Sequence, residues 1–487
     1  MTLTTILIYV GIAAVFLTIG VGFLVKEKKD WLLTFLQNYC GALFIFSGWV
    51  KAVDPLGTAY KMEQYFAEFN AVFEPTWFSF LSPLFPFLAE YSVGFSVFMI
   101  ILEIALGIML ILGIRRGFTS WVFLGLVMFF TILTGFTFLT GFVPQGVNFF
   151  EFGSWAAYNE TNMKVTDCGC FGDFVKLKPR ISFFKDLALL VPAFIFVARY
   201  NKMHQLFTKE IRTGVLGIAI ISLFIYCLSN YKWDIPHSDF RPFKVGNDIQ
   251  GIKEKEMEAA ANVQVVAYKL QSNEDPSKIV ELPYEVYLKE YSKYPKSEWT
   301  VLDQVKTKPA IEPTKISDFE VTSLDGYDSA DELLALEGYS LWIVCHKLKG
   351  ESQLTEISYQ DTTFVTDTSG VKTVSEIQEK TREGYEMEWD ADYVEKFQET
   401  VNPFVAAAKE SGIPAHVFIG KFGKDEVMEF ADKVGPDATY YTADDILLKT
   451  IIRSNPGIVM VKDGVIVDKW HVKKLPSFGN VKAKLGI

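Results

Sequence analysis

The stretch LTTILIYVGIAAVFLTIGVGFLV, residues 3–25, decides what kind of protein this is, because it contains no charged residue. A helix of about 20 apolar residues is long enough to cross the roughly 30 Å hydrocarbon core of a bilayer. No basic residue precedes the run and no small-residue cleavage site follows it, so it reads as a retained helix rather than a signal peptide. Working outward, further apolar runs occupy residues 31–52, 87–114, 118–142, 183–198 and 213–229. The first half of the chain is therefore expected to be a membrane α-helical bundle of about six transmembrane helices, the last two being the shortest. Asp54, Pro55, Leu56 and Gly57 stop the second run. Residues 58–69 then place Ala59, Met62, Tyr65, Phe66 and Phe69 on one helical face, as in a helix lying in the membrane interface.

Charge divides the 487 residues unevenly: the net of −11 splits into +2 over residues 1–229 and −13 over 230–487. Mean hydropathy is positive. The acidic second half argues against a nucleic-acid partner and leaves the lipid bilayer and a protein client or complex as the partners to expect. Lys26, Lys28 and Lys29, then Arg115 and Arg116, then Arg199, Lys202, Lys209 and Arg212 fall in alternate loops. By the positive-inside rule all three loops face the cytoplasm, which puts the N-terminus and everything after residue 229 on the other side. In a bacterium this describes a multi-pass protein of the inner (cytoplasmic) membrane with a periplasmic C-terminal part.

The loop after the fourth run contains TDCGCFGD, residues 166–173, with the only closely spaced cysteines in the chain. Cys168 and Cys170, separated by one glycine, have Cα atoms within about 7 Å, and a disulfide between them needs a tight, strained turn. Strained disulfides are the labile ones, which suits a site that passes electrons. The plainer reading is a glycine-rich turn with incidental thiols. Five cysteines are too few for a disulfide-built fold, and the five scattered histidines show no metal spacing, so no metal site is expected.

After the bundle, residues 230–246 read as a tether, and 249–313 as a small irregular or β-rich region with strand-prone pieces at 263–270 and 281–288. Strands are expected at 316–321, 339–346 and 415–419, helices at 391–411 and 444–453, and a hairpin over 458–461 and 465–470 about Lys462, Asp463 and Gly464. This order requires a soluble α/β domain closing on a hairpin. The expected division is a bundle over 1–229, a tether and small region over 230–313, and the α/β domain over 314–487.

Three features of the first half carry a resemblance: FSGWVKAVDPLGT at residues 46–58, Leu102, Glu103 and Ile104 with Gly107, and Asp167 to Asp173 followed by Lys185 and Asp186. The bundle resembles the DoxX family and the related MauE family, and the fusion to a periplasmic domain looks like proteins of the Bacteroidota. The MauE likeness implies a part in disulfide formation in partner proteins, as in methylamine utilisation. In the second half, Ile316 to Phe319 with Asp325 and Gly326 resemble the entry strand and turn of thioredoxin-like proteins of the TlpA and peroxiredoxin kind. Asn455 and Pro456 stand where those proteins have the cis-proline loop, which implies a partner-binding surface there. The Cys-x-x-Cys of that family is missing after residue 346, where residues 347–390 are inserted. Only Cys345 is near, and it reads as a buried strand thiol.

Within the bundle, Glu103 lies about 12 residues from Arg115, roughly 18 Å along a helix, near mid-bilayer. A carboxylate there needs a partner or a polar cavity. Lys51 and Asp54 are spaced to pair with each other. With Lys185 and Asp186 they are expected to ring the thiols, and Asp167 and Asp173 flank them. Cys227, near the end of the sixth run, is a candidate third thiol, though packing accounts for it as well. Three functions follow from these residues. The first is thiol–disulfide exchange through Cys168 and Cys170, with a membrane quinone as the electron acceptor that the location suggests. The second is a non-catalytic membrane subunit that assembles a partner complex, and the third is a carrier with Glu103 in its pathway.

Overall fold

A computed structural model of the chain describes residues 2–25, 30–165, 168–275, 278–366 and 372–487. The chain forms two compact units, residues 1–241 with 264–307 and residues 242–263 with 308–487. The region expected over 230–313 is thus divided between them.

In the first unit the helices are α1 (Leu3–Leu24), α2 (Trp31–Val53), α3 (Pro55–Phe73), α4 (Leu84–Glu90), α5 (Ser92–Leu112), α6 (Arg116–Leu139), α7 (Pro179–Arg199) and α8 (Lys209–Leu228). Among the described residues five stretches are long and apolar enough to cross a membrane, namely Leu3–Leu24, Ser92–Leu112, Arg116–Phe142, Pro179–Lys202 and Lys209–Trp233. The sixth expected from sequence, α2, has the length at 23 residues but carries polar groups turned inward. Asn38 donates to Thr18 Oγ1 on α1 (3.0 Å) and Gln37 donates to the Leu110 carbonyl on α5 (3.1 Å). These bonds satisfy amide N–H donors that lipid would not.

Helices α2 and α5 meet along glycines. A Cβ on Gly107 would lie 2.6 Å from the Gly41 carbonyl oxygen, and one on Gly48 2.4 Å from Ile104 Cγ1. At one end of the bundle the start of α2 and the turns about Arg116 and Arg199 come together. Asp30, which caps α2, pairs with Arg199 at 2.7 Å, and Arg116 donates to the carbonyls of Asn201 and Met203 at 2.9 Å each. Lys26, Lys28 and Lys29 lie outside the described residues.

Residues 264–307 form an antiparallel sheet of β1 (Val265–Ser272), β2 (Ile279–Pro283) and β3 (Trp299–Lys306), in the order β2-β1-β3. The strand expected to run on to residue 288 ends at Pro283, which has no N–H for the ladder. Helix α10 (Tyr284–Glu290) follows and lays Tyr287 on Tyr268, with ring centroids 4.4 Å apart.

The second unit opens with α9 (Ile249–Ala261), capped by Asp248 and tied to the final hairpin by Ile249 N–H to the Gly464 carbonyl at 3.0 Å. Its mixed sheet runs β11 (Val465–His471), β10 (Gly457–Lys462), β5 (Tyr339–Cys345), β8 (Ala415–Ile419), β9 (Thr439–Thr442) and β4 (Thr322–Ser323). Strands β5, β8 and β9 are parallel, and β10 and β11 form the expected antiparallel hairpin. The strand expected at 316–321 is a turn. The Glu256 carboxylate from α9 accepts the Thr314 N–H at 2.9 Å and the Ser317 hydroxyl, holding that turn while Ile316, Phe319 and Val321 are fully buried. The insertion is a long ribbon, β6 (Gly350–Thr366) paired with β7 (Lys372–Trp389). Helices α11 (Ala330–Leu334), α12 (Ala391–Lys396), α13 (Asn402–Glu410), α14 (Lys424–Lys433), α15 (Asp445–Ile451) and α16 (Phe478–Leu485) complete the unit.

His416 on β8 is buried with neither ring nitrogen hydrogen-bonded, and burial lowers its pKa to about 4 from the ordinary 6.5. Between these values the unfolded chain binds a proton that the native one refuses, so stability falls as pH drops from 6.5 towards 4. His416→Leu should flatten that part of the Tm-versus-pH curve. An unchanged slope would show that His416 does not contribute to it. At the glycine seam, Gly107→Ala should lower Tm of the purified protein, since overpacking a close contact costs about 1–3 kcal/mol. An unaltered Tm would contradict the close approach.

Candidate functional site

The loop entering the site is shaped by two glycines in the left-handed region, Gly169 (φ +57°) and Gly172 (φ +52°). Gly172 N–H donates to the Gly169 carbonyl at 3.1 Å, and Phe171 and Val175 form an antiparallel bridge. A Cβ at Gly169 would also lie 3.1 Å from Lys61 Cγ on α3. Phe171 is fully buried in the bundle core and 6.0 Å from the Phe46 ring, so it anchors the turn to α2. Ser47 on α2 adds a polar tie, its Oγ 2.9 Å from the Cys170 carbonyl oxygen.

The turn delivers Cys168 and Cys170 to a cavity of about 80 Å³ that Lys51, Glu103, Lys185 and Asp186 also line. Phe44, Met99, Ile100, Val127, Phe130 and Leu189 make up much of its apolar wall. Lys51 Nζ is 2.7 Å from Glu103 Oε2, with both side chains buried, and 5.3 Å from the centre of the Phe130 ring. Ser47 Oγ stands 2.8 Å from Glu103 Oε1. On α7, Lys185 Nζ lies 2.5 Å from Asp186 Oδ1, and Thr134 of α6 donates to Asp186 Oδ2 at 3.0 Å. Charge taken out of water is tolerated only with such partners.

The pairing corrects the sequence expectation. Lys51 reaches across to Glu103 instead of bonding Asp54. The helix ends at Val53, and Asp54 turns to cap α3, accepting the Gly57 N–H at 3.1 Å. Asp54 and Asp173 are not among the cavity-lining residues, and Asp167 lies outside the described residues. Cys227 is fully buried in a separate apolar cluster with Ala52, Val97, Ile100 and Ile104, so it packs and is not beside the other two thiols. Lys61 and Thr134, which sequence reasoning did not single out, also line the cavity. The Phe66 and Phe69 face of residues 58–69 pointed to α3 but not to Lys61.

None of the five cysteines is in a disulfide. Burial pushes the Cys170 thiol up from its ordinary value, and Lys185 and Lys51 pull it back only in part. The thiol is therefore held protonated at neutral pH, and a base or a change in the loop must accompany its reaction. In the second unit Cys345 is fully buried and pushed up to about 12, as a strand thiol in the core should be. Asn455 and Pro456 are joined by a cis peptide bond. Asn455 Nδ2 donates to the Lys347 carbonyl at 2.6 Å, just past the end of β5, and Pro456 is buried.

Comparison with protein-family models, curated proteins and solved structures finds no match for this chain.

The ion pair gives a direct test. Removing one partner of a buried pair costs about 3–5 kcal/mol, because the other charge is left uncompensated. Lys51→Met and Glu103→Leu should each lower Tm in detergent more than the double variant does. Equal or additive losses would mean that the two groups do not neutralise each other.

Proposed function

We propose that this chain is a membrane thiol–disulfide protein of the DoxX/MauE kind, with α2 as its sixth crossing and Cys168 and Cys170 at the outer face of a bacterial inner membrane. The observation that carries this reading is the convergence of both thiols and two buried ion pairs on one cavity. Oxidation breaks two S–H bonds, forms one S–S bond, and releases two electrons and two protons. Exchange with a client dithiol runs the reverse, reducing Cys168 and Cys170 and leaving the disulfide in the client. The grouping of Asp30, Arg199, Arg116 and Asn201 at one end supports a common cytoplasmic side for the basic loops.

A membrane quinone is the acceptor class that suits the wall, and when bound it takes up two electrons and two protons. Lysine N–H groups at Lys51 and Lys185 are the donors its oxygens would meet, and Phe44 and Phe130 supply flat apolar surface. Glu103 and Asp186 hold the Lys51 and Lys185 cations beside the thiols. The acidic α/β unit, read as a degenerate thioredoxin-like domain, would hold the client rather than react with it, since Cys345 is out of reach in the core.

A second reading has its own support: cysteines outside any disulfide, with the Cys170 thiol pushed up by burial, also suit a non-catalytic subunit that anchors a partner complex. Thiol trapping with mass spectrometry in native membranes separates the two. A Cys168–Cys170 disulfide in part of the population, lost together with client oxidation in Cys168→Ser and Cys170→Ser, is expected for the exchange reading. Both thiols reduced under every growth condition, with partner assembly intact in the variants, would overturn it in favour of the anchor.

A further inference from the structure

Between α3 and α5 the chain turns through residues 75–89, PTWFSFLSPLFPFLA, which contain no charged residue. The stretch is too short to cross a bilayer and is interrupted by Pro75, Pro83 and Pro86, so it holds only a 3₁₀ turn at Ser79–Leu81 and most of the short helix α4. Trp77, Phe80 and Phe87 are 78%, 70% and 56% exposed. Water is a poor surrounding for such a surface. The backbone, in contrast, needs little from water. The N–H groups of Thr76, Ser79, Leu81, Ser82 and Phe85 each donate to the carbonyl three residues back at 2.9–3.1 Å, and the Phe78 N–H donates to Thr76 Oγ1 at 3.2 Å. Irregular chain that satisfies its donors internally is the kind that can enter a layer poor in water.

A second uncharged run meets it. Residues 117–150 carry no charge, and α6 with the turn after it spans the 27 residues to Phe142, about 40 Å at 1.5 Å per residue. With Arg116 at one headgroup layer, that length exceeds the roughly 30 Å hydrocarbon core, and the last turns reach the opposite boundary. The two runs are joined there. The Phe136 ring is 4.8 Å from both Phe69 and Phe149, the Phe73 ring is 5.4 Å from both Phe85 and Phe150, and Asn148 Nδ2 donates to the Val72 carbonyl at 2.9 Å.

We propose that residues 75–89, backed by Phe149 and Phe150, are a lipid-binding element half embedded in the membrane: it lies where acyl chains meet headgroups, at the end of the bundle that carries the thiol loop, and Trp77, Phe80, Leu84 and Phe87 enter the acyl layer. Lipid is the occupant because the patch continues the apolar surface of two helices long enough to cross, on which Phe98 of α5 and Ile132 of α6 are also exposed. Aromatic rings, moreover, are the side chains that settle at that boundary. The element needs the helices to cross a membrane and does not need the thiols to react.

The test is photochemical cross-linking of the full chain in vesicles of phosphatidylethanolamine and phosphatidylglycerol, with a diazirine-bearing phenylalanine replacing Phe80 or, separately, Ile132. Both side chains are exposed, so the replacements leave the packing intact. Mass spectrometry of the digested chain reads whether the carbene has inserted into lipid, water or protein. Acyl-chain adducts are expected from both positions, those from 80 nearer the glycerol. Water adducts from 80 beside lipid adducts from 132, or cross-links from 80 to another copy of the chain, would overturn the proposal and leave the crossing helices standing. Water adducts from both would overturn the crossing as well. Wild type against Trp77→Phe gives a second reading: the fluorescence lost in the variant should be quenched by lipids brominated along the acyl chain and not by aqueous iodide. The reverse would contradict the embedding.

Discussion

A lysine and a carboxylate that meet at 2.7 Å inside an apolar bundle constrain everything around them. Neither Lys51 nor Glu103 is tolerated alone in such surroundings, so α2 and α5 must stay in a register that keeps them together. The glycines at 41, 48 and 107 let the two helix backbones approach closely enough for this. Once that register is set, Ser47 falls between Glu103 and the Cys170 carbonyl, and the thiol loop takes its position from helices already fixed. Asn230 completes the same corner by donating to the Ala52 carbonyl at 3.0 Å, near the end of α2.

The second pair, Lys185 and Asp186, sits on a different helix and faces the same cavity. Two opposite-charge pairs beside two thiols make an uncommon interior for a lipid-embedded bundle. The Cys170 thiol is nonetheless held up by burial, so the site is restrained at rest rather than reactive.

Much of this was readable before any coordinates. The apolar runs placed α1, α2, α5, α6, α7 and α8, and the turn at Lys462, Asp463 and Gly464 placed the β10–β11 hairpin, because both signals are local. The need of Glu103 for a partner was also legible, since a carboxylate amid apolar residues has few options. Its partner was not. Spacing along the chain favours Lys51 with Asp54, but the helix stops at Val53 and sends Asp54 away as a cap. Only packing between α2 and α5 decides that competition. The same holds for residues 316–321, whose buried Ile316, Phe319 and Val321 look like a strand until Glu256, some 60 residues earlier in the chain, holds the Thr314 N–H and the Ser317 hydroxyl in a turn. Residues 230–313 gave no hint that α9 joins one unit and the three-stranded sheet the other. That division rests on contacts far apart in sequence.

The central claim is that Cys168 and Cys170 form one redox couple set in a charged cavity. Its most direct test is to equilibrate the purified full chain with thiol–disulfide buffers of graded potential and measure the mass of the tryptic peptide carrying both cysteines. A loss of two hydrogens appearing as a single two-electron transition is the expected result. Thiols that stay reduced across the whole range, or that are oxidised one at a time into mixed disulfides with the buffer, would contradict it.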